Sequence, residues 1–288
     1  MRVDAHIDAP WQMTKRGAFS LAEEHLPTAF DLPRMKEGGL DAAILALYLP
    51  DRWQTFFGPE QAFKLIIKQT AWAGSHPNIH FALEGGRLIG GDLNKLKELH
   101  DLCQIKYLTL THNANTDWAD SATDVPNLNG LAPFGVEVIQ QCNDLGIFVD
   151  VSHASDDTAR AAIDASAKPV ITSHSGCRAV VDHPRNLPDD LIRRIASSGG
   201  IIHVPFARNF IGPDLDWLIR HVEEIASVAG SVNHIGIGSD LDGAAMIDEI
   251  QSVDCWHRVV GALSDIYDDE EVDLITGGNT ARLLGLEG

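Results

Sequence analysis

The feature that most constrains the fold of this 288-residue chain is a short apolar run that recurs eight times, each followed by a polar cluster and a helical stretch. The runs cover residues 2–7, 41–49, 79–83, 106–111, 147–151, 169–172, 200–205 and 234–238. Short apolar runs are typical of strands buried on both faces, and alternation with helices indicates a parallel sheet. Because no GxGxxG follows the first run, a dinucleotide-binding sheet is disfavoured. Eight units in one undivided chain predict a closed (β/α)8 barrel, or TIM barrel.

Helix boundaries can be predicted from the same sequence. Residues 215–226 carry apolar side chains at three- and four-residue spacing, which predicts a helix with one buried face. Gly230 lies just beyond this segment, where a C-cap glycine is expected. Ser155 suits the N-cap of a predicted helix that runs to Ala165, and Pro188 suits the first turn of a helix over 189–197.

Composition restricts the partners and the compartment. The formal net charge of −19 argues against nucleic acid or an anionic membrane as a partner. The first residues lack the pattern of a secretory signal, and the longest apolar stretch, over 40–49, is too short to span a membrane. The four scattered cysteines form no CxxC pair, which suits reduced thiols in a cytoplasm. No linker rich in proline, glycine or serine divides the sequence, so we expect one domain over residues 1–288.

Histidines and acidic residues follow the predicted strands at the points where the strands end. The motifs DAHID, ALEGG, LTLTHN, VDVSH, ITSH and GIGSDLDG contain His6, Asp8, Glu84, His112, His153, His174 and Asp240. In a barrel the carboxyl ends of all strands converge on one end, where the active sites of this fold are built. These seven matches, from six different units, therefore predict a shared site.

The residue types in this set favour two metal ions. His6 and Asp8 are two residues apart on a strand, so they project to one face and can hold one ion together. The neutral imidazoles of His153 and His174 suit a second, zinc-like ion. Glu84 lies on a strand between these groups and can offer one oxygen to each ion. Two ions held in this way can share a bridging water and lower its pKa toward neutrality.

The remaining polar residues near strand ends are given separate roles. Asp240 can orient the shared water, accept its proton and pass it to a leaving amine. We interpret Asp4 as structural and Asp242 as a group that supports the metal ligands from behind. His203 lies inside the seventh run and could face the barrel interior. The other histidines are assigned to the common class of loop and surface groups: His25, His76, His80, His100, His183, His221, His234 and His257.

Longer motifs resemble the renal (membrane) dipeptidase family, a branch of the amidohydrolase-type barrels. The matching segments, spread over nearly the whole chain, are DAHIDAPW, FDLPRMKEGGLDAA, ALEGG, YLTLTHNANTDWAD, VDVSHAS, ITSHSGCRAVVDHPRNLPDD, GIGSDLDG and GGNTARLLG. The resemblance implies a dinuclear zinc site, held by His6 and Asp8 on one ion, His153 and His174 on the other, and Glu84 on both. It also implies hydrolysis of small dipeptides, with those that carry a C-terminal D-residue among the candidates.

The same resemblance assigns roles around the metal site. Asp240 would be the proton shuttle, and His112 would polarise the scissile carbonyl and stabilise the oxyanion. Arg185, in DHPRN, would bind the free carboxylate of a dipeptide, since a guanidinium pairs with a carboxylate through two parallel hydrogen bonds. Two positions depart from the family pattern: Ile7 stands where asparagine is common, and Arg87 where histidine is frequent. Neither is a ligand, but both could alter contacts near the substrate.

Two other functions remain open at this point. The first is hydrolysis of N-acyl amino acids or other small amides, which a substrate panel would distinguish from dipeptide hydrolysis. The second is a non-catalytic metal-binding scaffold, against which Asp240 and His112 speak because metal binding alone requires neither. The resemblance makes a homodimer plausible. The signal peptide and membrane anchor of animal family members are not seen in this sequence, so we expect a cytoplasmic protein without membrane attachment.

Overall fold

The computed structural model of this chain describes residues 1–17, 21, 26–72 and 76–286. The strands within these ranges are β1 (Val3–Ile7), β2 (Ala42–Leu47), β3 (Ile79–Glu84), β4 (Tyr107–Thr109), β5 (Phe148–Asp150), β6 (Val170–Ile171), β7 (Ile202–Val204) and β8 (Ile235–Ile237). Seven of the eight predicted runs contain the observed strand, and β3 extends one residue past its predicted end, to Glu84. His25 lies outside the described residues, so its assignment stays a prediction.

The helices alternate with the strands, as the sequence pattern predicts. They are α1 (Ala9–Arg16), α2 (Leu32–Glu37), α3 (Asp51–Phe57), α4 (Pro59–Trp72), α5 (Leu93–Cys103), α6 (Pro133–Leu145), α7 (Asp156–Ala165), α8 (Asp189–Ser197), α9 (Arg208–Ile211), α10 (Leu215–Ala229), α11 (His257–Ser264), α12 (Asp269–Asp273) and α13 (Asn279–Leu284). Gly230 caps α10 in the left-handed conformation, with φ of 79°, and the Ser155 side chain accepts a hydrogen bond at the start of α7. Pro188 is the N-cap of α8 rather than part of its first turn. Among the described residues, no helix is long and apolar enough to cross a membrane.

The strands close into a barrel. Strands β1 to β6 pair in sequence order and in parallel, and β7 pairs in parallel with β8. Isolated parallel bridges join the two sheets at both seams, Thr172 with Ile202 on one side and Ile7 with Leu241 on the other. The prediction of a (β/α)8 barrel is therefore confirmed.

Apolar side chains form one layer inside the barrel and another between the strands and the outer helices. The interior cluster consists of Val3, Ala42, Ile44, Ala82, Tyr107, Ile171, Ala281, Leu284 and Leu286. Because Ala281 and Leu284 belong to α13, this helix covers the amino-terminal end of the barrel. The opposite end, where the strands have their carboxyl termini, is called the mouth below. The polar residues that follow the strands converge there.

A β-bulge in β1 determines which side chains of this strand reach the mouth. Val3 and Asp4 pair with consecutive residues of β2, but the register shifts before Ile7 pairs with Leu45. With strict alternation Val3 and Ile7 would face the same side, and His6 would point away from the barrel interior. The extra residue reverses this, so Ile7 packs in the outer layer and His6 faces the mouth.

Asp4 stabilises the bulge through both of its carboxylate oxygens. Its Oδ1 accepts hydrogen bonds from the backbone N–H of His6, at 3.1 Å, and of Ser239, at 2.9 Å. Its Oδ2 accepts a hydrogen bond from the indole Nε1 of Trp256, at 3.2 Å. Burial raises the pKa of Asp4 to about 6, against the lowering effect of these hydrogen bonds. This placement agrees with the structural role predicted for Asp4.

The Asp4→Asn variant is expected to lose at least about 1 kcal/mol of unfolding free energy, because one N–H donor would then face the amide NH₂. Urea unfolding followed by tryptophan fluorescence measures the loss. Asp265→Asn, at an exposed aspartate, is the control and should leave the midpoint unchanged. An Asp4→Asn midpoint equal to that of wild type would contradict this assignment.

Candidate active site

The mouth of the barrel contains a cavity of about 410 Å³ lined by most of the residues predicted to carry function. Its walls include Asp8, Glu84, His112, His153, Arg185 and Asp240. His6 and His174 lie directly beneath, with 0% and 1% of their surface exposed. The structure therefore brings together all eight of the predicted site residues. A cavity of about 500 Å³ beside α3 has no histidine among its described lining residues, so we place the chemistry at the mouth.

One cluster of possible metal ligands forms around the end of β1. His6 Nε2 lies 3.5 Å from Asp8 Oδ2 and 3.7 Å from Glu84 Oε1. One carboxylate oxygen of Asp240 also lies within 4.8 Å of ligand atoms of His6 and Asp8. Among the described residues, His6 Nε2 and Asp8 Oδ1 are buried without a hydrogen-bond partner. Buried polar atoms are almost always paired, so this convergence fits a bound cation.

A second cluster forms around the ends of β5 and β6. His153 Nε2 lies 3.2 Å from Glu84 Oε1, and His174 Nε2 lies 3.6 Å from the same oxygen. The two Nε2 atoms face each other at 2.9 Å. Burial lowers the pKa of both imidazoles, and the positive charge of Arg185 lowers them further. Both rings are therefore neutral, as metal ligation by histidine requires.

Carboxylates are crowded between the two clusters. Burial raises the pKa of Glu84 and of Asp240 well above the usual range, and the nearby Asp8 carboxylate adds to both shifts. Buried negative charges at such short range destabilise one another unless a cation neutralises them. The combination of imidazole and carboxylate donors with unpaired buried atoms fits divalent ions of the zinc type.

His112 lies on the cavity wall next to the second cluster. Its Nδ1 lies 3.3 Å from the hydroxyl of Tyr48 and 3.6 Å from Asp51 Oδ2, and its ring centroid is 4.4 Å from that of His153. Because Nδ1 faces Tyr48 and Asp51, Nε2 is the nitrogen available to a bound molecule. Neither Tyr48 nor Asp51 was predicted as a site residue.

Arg185 is buried on another wall of the cavity, with 6% of its surface exposed. Its Nη2 donates to the backbone oxygen of His174 at 3.1 Å, and its guanidinium carbon lies 5.3 Å above the ring of Phe210. Burial lowers the pKa of Arg185 to about 10, so the side chain stays cationic at neutral pH. A buried guanidinium held in this way presents a fixed set of donors to an anion.

Two of the histidines assigned from the sequence to the loop and surface class lie in other surroundings. His183 lines the cavity beside Arg185, whose backbone N–H donates to its Nδ1 at 3.1 Å. His221 is buried and accepts a hydrogen bond from the backbone N–H of Cys177. His203, left open by the sequence, is buried and lies within hydrogen-bond distance of Thr172 and Thr280, outside both clusters of possible metal ligands.

Strained backbone is concentrated at the mouth. Of the five described non-glycine residues with positive φ, three are His153, Asp240 and Asp242. Such conformations are uncommon and persist where surrounding structure imposes them, often at functional sites. At Gly243, an added Cβ would lie 2.2 Å from Asp240 Oδ1 and from Asp8 Oδ2. This glycine therefore leaves room for the two carboxylates.

Asp242 lies at the rim of the same cavity. Its Oδ1 accepts a hydrogen bond from the backbone N–H of Ala29 at 2.8 Å, and its backbone oxygen accepts one from the Gln12 side chain at 2.7 Å. Burial raises the pKa of Asp242 to about 6. These contacts hold the loop that follows β8, which is consistent with the supporting role predicted for this residue.

A (β/α)8 barrel with a cluster of histidines and carboxylates at its mouth defines a metal-binding barrel of the amidohydrolase type. The family model of the membrane dipeptidases (peptidase family M19) matches residues 66–286. The chain belongs to this family.

Two curated relatives illustrate the extent of the match. An uncharacterized dipeptidase of Schizosaccharomyces pombe is 36% identical over 209 residues, which cover 70% of this chain and 49% of that protein. Dipeptidase 3 of Mus musculus is 28% identical over 313 residues, which cover 98% of this chain and 63% of that protein. The chain thus spans about half to under two thirds of the length of these relatives.

Solved structures share the fold over the whole chain. A structure of the dipeptidase AC, a metallopeptidase of family M19, superposes with a TM-score of 0.87 at 24% identity, over 98% of this chain and 97% of that one. A metallopeptidase from Rhodobacter sphaeroides, liganded with a phosphinate mimic of the dipeptide L-Ala-D-Ala, also gives 0.87, at 23% identity over 100% and 99%. At these identities the likeness shows the barrel fold that the two proteins share with this chain.

Proposed function

We propose that this chain is a dipeptidase that hydrolyses the peptide bond of small dipeptides with two divalent ions, most simply zinc. One observation carries the proposal: Glu84 Oε1 lies 3.2–3.7 Å from the facing nitrogens of three histidines, while a buried arginine lines the same small cavity. A cavity of about 410 Å³ admits only a small substrate. The dipeptide mimic bound by the Rhodobacter sphaeroides protein supports the same class, including a D-residue at the C-terminal position.

The two clusters support one set of metal ligands. His6 and Asp8 would hold one ion, His153 and His174 the other, and Glu84 would contact both. When bound, such ions would supply Lewis-acid chemistry, polarising the substrate carbonyl and lowering the pKa of a bound water.

The remaining side chains supply recognition and proton transfer. Arg185 would bind the free carboxylate of the dipeptide and so fix the position of the scissile bond relative to the ligands. His112 would donate a hydrogen bond from Nε2 to the oxygen on which negative charge develops. Asp240 would accept the proton of the attacking water and deliver it to the leaving amine.

We propose further that residues 1–288 act as one barrel domain and as a homodimer in the cytoplasm. The continuous order of β1 to β8 and the cover provided by α13 support the single domain. The four cysteines are all free, which suits a reducing compartment. The dimer rests on family resemblance, and sedimentation of the purified protein tests it.

An N-acyl amino acid also carries a carboxylate that Arg185 could bind, so the proposal is tested with both substrate types. Zinc-replete protein is expected to contain close to two ions per chain and to release amino acids from L-Ala-L-Ala or L-Ala-D-Ala. Chelation should abolish this activity, and added zinc should restore it. Mass spectrometry gives the metal content, and an amino acid assay gives the rate.

The outcomes of this test are distinct. Full activity with at most one ion per chain would contradict the dinuclear site. Hydrolysis of N-acetyl-alanine without hydrolysis of any dipeptide would replace the dipeptidase by an acylamino acid hydrolase. Metal binding without hydrolysis of either substrate type would favour a non-catalytic metal-binding scaffold.

A further inference from the structure

Two of the proposed metal ligands have rings held from behind by a hydroxyl group. His174 Nδ1 lies 2.8 Å from Ser173 Oγ, and His6 Nδ1 lies 2.8 Å from the Tyr107 hydroxyl. A hydroxyl can donate or accept, so its direction decides which ring nitrogen carries the hydrogen. A histidine binds metal through Nε2 only if the hydrogen is on Nδ1.

The direction at His174 follows from the partner of Ser173. Ser173 Oγ lies 2.6 Å from Asp150 Oδ2 and 3.3 Å from Ser152 Oγ, and the much shorter contact is to a carboxylate oxygen, which only accepts. The single hydroxyl hydrogen of Ser173 is therefore directed to Asp150, so Ser173 Oγ accepts from the Nδ1–H of His174. The lone pair of His174 is consequently on Nε2, the atom that faces Glu84 and His153.

Asp150 accepts hydrogen bonds from donors in β4 and in the segments that follow β5 and β6. It ends β5 with 0% of its surface exposed. Its Oδ1 accepts from the backbone N–H of Ser152 and of Ser173, both at 2.9 Å. Its Oδ2 accepts from Ser173 Oγ and from the hydroxyl of Thr109, both at 2.6 Å. With these four donors around it, the orientation of the carboxylate is fixed.

The ring of His6 has the same orientation but a neutral partner. The Tyr107 hydroxyl donates to the backbone oxygen of Ala5 at 2.7 Å, so it accepts from the Nδ1–H of His6. This chain of hydrogen bonds ends on a carbonyl, whereas the chain behind His174 ends on a buried carboxylate. The hydrogen-bond chain behind His174 therefore ends on a charged group, and the chain behind His6 ends on a neutral one.

We propose that Asp150 and Ser173 form a positioning relay that orients His174 and makes its Nε2 a stronger metal ligand. The relay rests on the metal centre proposed above, because it acts only through His174. Asp150 is absent from the described lining of the cavity, so it does not touch the substrate. Its negative charge, on the far side of the Ser173 hydroxyl, polarises the Nδ1–H bond of His174 and so favours electron donation from Nε2 to a metal ion.

The test removes the Ser173 hydroxyl but leaves His174 itself unchanged. Ser173→Ala deletes the hydroxyl between Asp150 and His174, and we expect zinc affinity at this half of the centre to fall by about 10–100-fold. Thr109→Val is the matched control, since it deletes the other hydroxyl on Asp150 Oδ2 at the same distance and leaves His174 untouched. The zinc-loaded full chain of each variant is titrated against chelators of graded affinity, and urea unfolding is recorded in parallel.

The comparison between variants decides the outcome. Equal zinc affinity in Ser173→Ala and Thr109→Val, at similar stability, would overturn the relay. A wild-type protein that retains no zinc would instead contradict the metal centre itself. If Ser173→Ala fails to fold, Asp150→Asn keeps the shape of the carboxylate and removes its charge, and its zinc affinity should again lie below that of Thr109→Val.

Discussion

The replacement of Asp240 by asparagine is expected to lower kcat by about 10²–10⁴-fold while most of the metal stays bound. The amide has nearly the shape of the carboxylate, but it can neither accept the proton of the attacking water nor return it to the leaving amine. Since substrate contacts are unchanged, KM should change little. Metal content by mass spectrometry and turnover of one dipeptide should be measured on the same preparation.

Two neighbouring aspartates provide the comparison. Asp8→Ala should lose metal as well as activity, because a ligand oxygen is removed. Asp242 lies two residues after Asp240, and its Oδ1 accepts a hydrogen bond from the backbone N–H of Ala29. Asp242→Asn should therefore lower kcat far less than Asp240→Asn does. In the wild type, kcat/KM should fall at acidic pH as the proton acceptor becomes protonated, and this limb should weaken in Asp240→Asn.

Either of two results would contradict the proton-shuttle role proposed for Asp240. Near-normal turnover with both metals in place would exclude it as the proton shuttle. An inactive Asp240→Asn protein without metal would make it a ligand, as its position within 4.8 Å of His6 and Asp8 atoms allows.

The second large effect is expected at Arg185. If its guanidinium binds the dipeptide carboxylate through charge-assisted hydrogen bonds worth about 1.5–3 kcal/mol, Arg185→Met should lower kcat/KM by roughly ten- to a few hundred-fold. Wild-type protein should show a similar loss when the dipeptide is amidated at its C-terminus. The variant should hardly distinguish the amide from the free acid.

A nearby arginine offers a matched control. Arg178 pairs with Asp156 through two hydrogen bonds of 2.7 and 2.8 Å and is not among the described residues that line the cavity. Arg178→Met should therefore leave kcat/KM close to the wild-type value on both substrates. Losses of equal size on the acid and the amide in Arg185→Met would show that Arg185 has a different role.

The strands and the candidate ligands could be predicted because both leave local signals in the sequence. In the sequence, a strand buried on two faces is a short apolar run, and a candidate ligand such as His153 follows shortly after it. The contacts behind the ligands leave no such signal. Tyr107 lies 101 residues from His6, and Asp150 lies 23 residues before Ser173, so their hydrogen bonds depend on the closed barrel.

The register shift in β1 could not be predicted from the sequence either. A strict period of two along β1 would place His6 and Ile7 on the wrong sides, and only the bulge braced by Asp4 corrects this. His183 was assigned to the surface class because a loop histidine is usually exposed. Its position two residues before Arg185 is the one signal that could have placed it beside the cavity.

The cover that α13 provides has a consequence for how the protein is made. The interior cluster combines Val3, from the first strand, with Ala281 and Leu284, near the end of the chain. During synthesis the barrel interior therefore stays open to water until α13 has left the ribosome, and contacts of such long sequence separation form slowly. His6 and Asp8 are synthesised before Asp240 and meet it only when β8 completes the ring. Between the synthesis of β1 and that of α13, the nascent chain must therefore keep its apolar strands from contacting other proteins.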